Sequence, residues 1–317
     1  MPQPVNGVSQ IQGCGDRMPK SVTANPGQKL PARPRIGYRM CQQWPGANYF
    51  VALPDTVNEN TPVLVTVHGI SCNARKHVRT FSRYCNRLGW AVVAPLFSPN
   101  IFPKYQQLGV ARKGGGPRSD FALNAVLNEV TLATSIRTDR IFMFGYSGGG
   151  QFVHRYAMAH PERVRSAVLG ASGWYTFPDP DTRYPRGLGA DSRLGGFGLS
   201  AEKVLRIPMA VIVGSKDRER DDALNKSPRI DRQQGLTRSA RGQHWVAAMR
   251  AAASRRGLDT RYEFRELEGC GHSFSKCVRI GGMDRHAIEF LIDSTARSVA
   301  PGTGMSSQIV PAASFVA

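Results

Sequence analysis

Residues 140–151 read Arg-Ile-Phe-Met-Phe-Gly-Tyr-Ser-Gly-Gly-Gly-Gln, an apolar run that breaks into Gly145-Tyr146-Ser147-Gly148-Gly149. A serine hydroxyl is a poor nucleophile, so chemistry at Ser147 needs exposure, rigidity and a neighbouring base. A buried strand that ends in a sharp turn and passes at once into a helix supplies the first two. Glycines on either side of the serine keep side chains out of the crowded backbone there. The five-residue pattern alone recurs by chance in a chain with 33 glycines. The apolar strand before it and the helical pattern after it make it specific.

A base and a carboxylate follow at matching places. Met209 to Val213 reads as a strand, and Asp217 follows it in Gly-Ser-Lys-Asp. Arg261 to Leu267 reads as another, and His272 follows it in Glu-Gly-Cys-Gly-His-Ser. In such a set the serine attacks, the imidazole takes and returns its proton, and the carboxylate fixes tautomer and orientation. Glu219, Asp221 and Asp222 lie within five residues of Asp217 and compete for the acid's role. Asp217 is preferred for its short distance past the strand. His77, His154, His160, His244 and His286 fall on or beside helical patterns, where a solvated or internally bonded imidazole is the default. Val67-His68-Gly69-Ile70-Ser71 ends a further strand, and Gly69 lets the chain turn so that the Ile70 N–H points inward. With the Gly148 N–H it would form an oxyanion hole, each donor contributing roughly 3 kcal/mol in a transition state. His68 is expected to be structural.

These residues need elements to carry them. Asn48 to Leu53, Pro62 to Val67, Trp90 to Ala94, Ile141 to Phe144 and Val164 to Leu169 read as further strands. Helices are expected from an Asn73 cap through Val78, Phe81, Cys85 and Leu88, and over 120–132, 151–159, 243–255 and 284–292. This alternation predicts a mostly parallel sheet covered on both faces, an α/β architecture with reactive groups beyond the carboxyl ends of its strands. Ser147, Asp217 and His272 all meet that condition. Residues 1–43 are rich in Pro, Gly, Gln and Arg without a period and read as a flexible arm; 298–317 read as a flexible tail, leaving 44–297 as the catalytic domain.

The net charge of +19 invites a nucleic-acid reading. The basic residues are scattered, often beside acids as in Lys216-Asp217-Arg218-Glu219-Arg220-Asp221-Asp222, and no nucleic-acid-binding motif occurs. A generally basic surface, with no nucleic-acid partner, is the expectation. No stretch approaches the roughly 18 apolar residues of a membrane span. Met1 to Gly7 lacks the basic start and apolar segment of a secretory leader, which predicts a cytoplasmic protein. Six cysteines without C-x-x-C spacing argue against zinc and thioredoxin chemistry. Cys270 and Cys277 bracket His272 and are expected to be free thiols, a bridge between them being the alternative. No metal and no cofactor is implied.

Taken together, the His-Gly oxyanion loop, the serine elbow, the post-strand acid and the late Gly-Cys-Gly-His resemble the α/β-hydrolase superfamily over about residues 47–295. The resemblance implies an α/β-hydrolase fold with an eight-stranded, mostly parallel sheet, helices on both faces and a small cap insertion at about 173–207. It also implies a serine hydrolase with a Ser147-Asp217-His272 relay. Gln106-Gln107-Leu108-Gly109 and Gly173-Trp174-Tyr175-Thr176-Phe177-Pro178-Asp179 look like a branch of bacterial esterase-like hydrolases. The serine departs from the cysteine of dienelactone hydrolases and from the aspartate of dehalogenases and epoxide hydrolases. Two segments could cover the site: 96–119, with Phe97, Ile101, Phe102 and Tyr105, and 173–207, with Trp174, Tyr175, Phe177, Tyr184 and Phe197. Tyr105, Trp174, Tyr175 and Phe177 are the candidates for binding a small-molecule ester or thioester with an apolar or aromatic moiety. Packing of the same rings onto the sheet is the alternative. Arg112, Arg118, Arg183 and Arg186 could hold a substrate carboxylate. An amide, peptide or C–C bond is the other substrate class, and an idle binding module the other functional class.

Overall fold

The computed structural model describes residues 35–111, 115–194 and 198–296. Within them eight strands form one sheet: β1 (Gly37–Met40), β2 (Asn48–Ala52), β3 (Val63–Val67), β4 (Ala91–Leu96), β5 (Ile141–Tyr146), β6 (Val164–Gly170), β7 (Met209–Gly214) and β8 (Tyr262–Leu267). Their spatial order is β1-β2-β4-β3-β5-β6-β7-β8. β1, β2 and β4 pair antiparallel, and every pairing from β4 through β8 is parallel. The helices are α1 (Ala74–Ser82), α2 (Cys85–Leu88), α3 (Ser119–Thr134), α4 (Gly148–Ala159), α5 (Ala201–Val204), α6 (Pro228–Gln234), α7 (Arg238–Ser254), α8 (Phe274–Arg279) and α9 (Met283–Ala296).

β3, β5 and β7 are buried along their whole length, which is why they read as near-continuous apolar runs, Thr66 of β3 being a buried polar exception. Alternate residues on a strand face opposite ways, so each strand feeds two cores. Val63, Val65, Val67, Met143, Leu169 and Val211 join a core with Leu123, Val126, Phe152, Tyr156, Trp245 and Met249 of α3, α4 and α7. Leu64, Phe142, Phe144, Val168 and Ile212 join the other with Val78, Phe81, Phe274, Ile288 and Leu291 of α1, α8 and α9. After β3 the chain runs outward to β4 and then returns to place β5 on the other side of β3. Loops leaving adjacent parallel strands on opposite sides open a crevice at such a reversal. The loops after β3 and β5 are the two that carry Ile70 and Ser147.

The structure corrects several boundaries. The expected arm at 1–43 is too long, because β1 is a sheet strand: Tyr38 is buried with its ring 5.2 Å from that of Phe50. Four residues on a sheet edge are too few to show a period. The arm up to residue 34 and the tail from 297 lie outside the described residues. The helix expected from Asn73 breaks at Arg83–Tyr84 into α1 and α2, and Asn73 makes no capping bond through its side chain. Cys85 is fully buried as expected, and Leu88 only partly. α7 begins five residues before the expected start at 243, capped by the Thr237 hydroxyl, which accepts from the Ala240 N–H.

Candidate active site

The turn after β5 is strained in the way an exposed nucleophile requires. Ser147 has φ 55° and ψ −114°, a region that L-residues adopt only when the surroundings impose it. Its N–H is held by the Gly170 carbonyl of β6 at 2.7 Å, and its own carbonyl accepts from Gln151 at 3.1 Å. A Cβ at Gly145 would overlap the backbone of Gly149, and one at Gly149 would overlap the Val67 carbonyl. The two outer glycines of the motif are therefore steric requirements of packing α4 against β3 and β5.

His272 reaches this serine from the loop between β8 and α8. Its Nε2 lies 3.1 Å from Ser147 Oγ, and its Nδ1 lies 2.6 Å from Asp217 Oδ2. An ionised carboxylate only accepts, so Nδ1 carries the proton and Nε2 is free to accept from the hydroxyl. The imidazole is 21% exposed while the Asp217 side chain is buried. Tyr146 stacks beside the ring at 5.4 Å, fixing its plane. Among the competing acids, Asp222 is exposed and pairs with Lys226, and Asp221 bonds Arg238.

On the other side of Ser147, the Ile70 amide faces the start of α4. A Cβ built on Gly148 would lie 3.5 Å from Ile70 N, so the two backbone segments converge on one small space. The Gly148 N–H, first in its helix, has no acceptor within it. His68 holds the loop in shape: its Nε2 accepts from the Phe97 N–H at 3.0 Å, and its Nδ1 donates to the Gly69 carbonyl at 2.6 Å. Burial pushes the His68 pKa down to about 4, although the Gly69 bond acts the other way. Burial likewise holds His77 and His154 well below the ordinary imidazole value. The unfolded chain takes up protons at these rings below about pH 6.5, whereas the folded chain resists until much lower pH. Stability should therefore fall as pH drops from 6.5 toward 4, His68 alone accounting for about 2 kcal/mol by pH 5. Denaturant melts at pH 7.5 and pH 5 measure this, and equal stability at both would contradict neutral buried rings.

Of the four expected substrate-binding aromatics, Tyr105, Trp174 and Tyr175 are buried and Phe177 partly so. The Tyr105 hydroxyl donates to the His68 carbonyl at 2.8 Å, and its ring stacks on Phe97, so it braces the oxyanion-side loop from below. Tyr175 is fully buried against Trp245, ring centroids 5.2 Å apart. Trp174 is buried, with the Arg155 guanidinium 4.2 Å from its ring centroid. Phe177 is partly buried and packs on the core of α3, α4 and α7. The expected cap at 173–207 thus packs inward at its start, because those rings find apolar partners on α4 and α7. Ile70, 56% exposed, is the apolar side chain that stands open beside Gly148. Of the arginines considered for a carboxylate, Arg118 bonds Asp120, and Arg112 lies outside the described residues, as does Phe197.

Sequence reasoning missed Arg155 and Arg238, both fully or nearly fully buried. Arg155 bonds the Gln106 carbonyl at 2.6 Å, the Thr176 hydroxyl at 3.0 Å and the Gln151 carbonyl at 3.3 Å, joining both covering segments to α4. Arg238 bonds Asp217 Oδ1 at 3.1 Å. Cys270 and Cys277 are free thiols, as expected, and burial pushes the Cys277 thiol up to about 11. Reductant should leave activity and melting temperature unchanged, and a fall in either on adding dithiothreitol would reveal a bridge. No group of three or more His, Cys, Asp or Glu side chains among the described residues is arranged to hold a metal ion.

No protein-family model matches the chain, and no curated protein matches it. Solved structures do. Poly(aspartic acid) hydrolase-1 from Sphingomonas sp. KT-1 superposes with a TM-score of 0.68 at 26% identity, covering 82% of this chain and 99% of that one. The chain has the α/β-hydrolase fold. A poly(3-hydroxybutyrate) depolymerase from Bordetella parapertussis superposes at 0.62 with 24% identity, over 82% of this chain and 95% of that one. An S-formylglutathione hydrolase from Agrobacterium tumefaciens reaches 0.54 at 18% identity, over 81% and 94%. The eight-stranded, mostly parallel α/β-hydrolase sheet thus stands as the sequence expectation had it. No helix among the described residues is long and apolar enough to cross a membrane.

Proposed function

We propose that the protein is a cofactor-independent serine hydrolase that cleaves a carboxylic ester or thioester through an acyl-enzyme. The observation that carries this reading is the continuous line from Asp217 through His272 to Ser147, at 2.6 and 3.1 Å, on a strained elbow. In the first half-reaction Ser147 Oγ attacks the substrate carbonyl as His272 Nε2 takes its proton. The negative charge that develops on the carbonyl oxygen is met by the N–H groups of Ile70 and Gly148. His272 then protonates the leaving alcohol or thiol, and the same relay activates water to release the acid. The exposed Ile70 at the site supports an apolar moiety in the substrate. The free thiols support a cytoplasmic location, where thiols stay reduced.

A fluorophosphonate probe tests the reading directly. It should label the protein at Ser147, with His272→Ala slowing labelling severely and EDTA leaving it untouched. Absence of labelling in the folded wild-type chain would overturn the mechanism. A second reading, amide hydrolysis in an acidic polymer on the same residues, is favoured by the 26% identity to poly(aspartic acid) hydrolase-1 and by the +19 charge, which attracts polyanions. Comparing 4-nitrophenyl esters with poly(aspartic acid) as substrates separates the two.

A further inference from the structure

The serine relay does not end at Asp217. Arg238, at the first position of α7, sits behind that carboxylate with its side chain 1% exposed. One terminal nitrogen donates to Asp217 Oδ1 at 3.1 Å and to the Glu219 carbonyl at 3.4 Å. The other grips both oxygens of Asp221, at 2.7 and 3.0 Å. Asp217 therefore spends one oxygen on His272 and the other on a buried cation. That cation is in turn held by a second carboxylate, 34% exposed. Burial acts to raise the Asp221 carboxyl, yet its bond to Arg238 outweighs this and holds the group below the ordinary carboxylate range.

We propose that Arg238 is a positioning residue that clamps Asp217 for His272 and, with Asp221, sets the net charge to which His272 is exposed. This rests on the serine-hydrolase reading of the site and extends it to a regulator of the working pH range. A carboxylate bonded on one oxygen alone can rotate away from the imidazole, whereas one held on both cannot. The charged groups bonded to His272 or joined to that pair are Asp217 and Asp221 from the loop after β7 and Arg238 from α7. Tyr146 and Ser147 at the end of β5, and Cys277 of α8, face the site as neutral groups. The three charged groups sum to one net negative charge. Removing the arginine leaves two, which favours the imidazolium; neutralising Asp221 leaves none, which disfavours it.

The relay needs a neutral imidazole, so the two changes should move the acidic limb of the pH profile in opposite directions. Profiles of kcat/KM for 4-nitrophenyl acetate provide the readout. In Arg238→Met the limb should rise by about half to one pH unit, and kcat should fall roughly 10- to 100-fold with KM little changed. In Asp221→Asn the limb should fall by a similar amount. Arg238→Lys, which keeps the charge but loses the fork, should leave the limb in place while lowering kcat. A purely structural arginine would lower the yield or melting temperature of these variants without separating their limbs. Limbs that stay fixed, or that move together, overturn the proposal. Should Arg238→Met fail to fold, an unmoved or raised limb in Asp221→Asn does so alone. Imidazole NMR titration of His272 in the Ser147→Ala background reads the same charge effect without turnover. A flat response there defeats the Arg238 proposal, whereas esterase activity surviving Ser147→Ala defeats the reading beneath it.

Discussion

Replacing Ser147 by alanine should lower kcat/KM for an activated ester by roughly 10⁴-fold or more while leaving the melting temperature within a few degrees of the parent. The loss should be this large because on the proposed mechanism the hydroxyl forms the bond, and among the described residues Ser147 supplies the hydroxyl at His272 Nε2. The fold should tolerate the change, since the elbow is held by backbone bonds to Gly170 and Gln151 that alanine keeps. Some catalysis over water should survive, because the oxyanion-side amides and the binding surface remain. The check is steady-state hydrolysis by a variant shown to be folded by circular dichroism. Unchanged turnover in such a variant would end the covalent mechanism.

The second large effect is expected at the acid. Asp217→Asn should cost about 10⁴-fold in kcat, because an amide nitrogen facing Nδ1 stabilises the wrong imidazole tautomer. It also leaves Arg238 half-paired, so a modest fall in melting temperature should accompany the kinetic loss. Asp222→Asn is the control. Its carboxylate is exposed and among the described residues bonds Lys226, so the variant should match the wild type within twofold. A crippled Asp222→Asn beside an active Asp217→Asn would move the acid's role to the neighbouring residue and leave the reaction class standing.

What could be read from sequence follows from how local each signal was. Ser147, Asp217 and His272 lie a few residues past apolar strands, and glycines mark the turns, so both the elements and the candidate site were legible in short windows. Arg238 was not, because an arginine beside a helix start reads as solvated until its carboxylate partners, 17 and 21 residues earlier, fold back onto it. The same holds for Arg155. Tyr175 and Tyr105 show the converse ambiguity: an aromatic ring has the same letter whether it lines a pocket or braces a backbone carbonyl. Tertiary placement alone decides. β1 escaped because pairing with β2, not any pattern of its own, makes those four residues a strand.

Arg155 bears on the kinetics of access. Its guanidinium is fastened to the loop before α3 through Gln106, to the segment after β6 through Thr176, and lies over Trp174, all from the helix that starts at the nucleophile. Swinging either segment outward as a hinged door would pull a fully buried cation off its acceptors. At these anchor points the described residues are fastened to α4, so acylation is expected to proceed without a slow opening step. Acylation traces in stopped flow should show no lag, and the amides of Tyr175 and Thr176 should exchange with deuterium as slowly as those in the middle of α4.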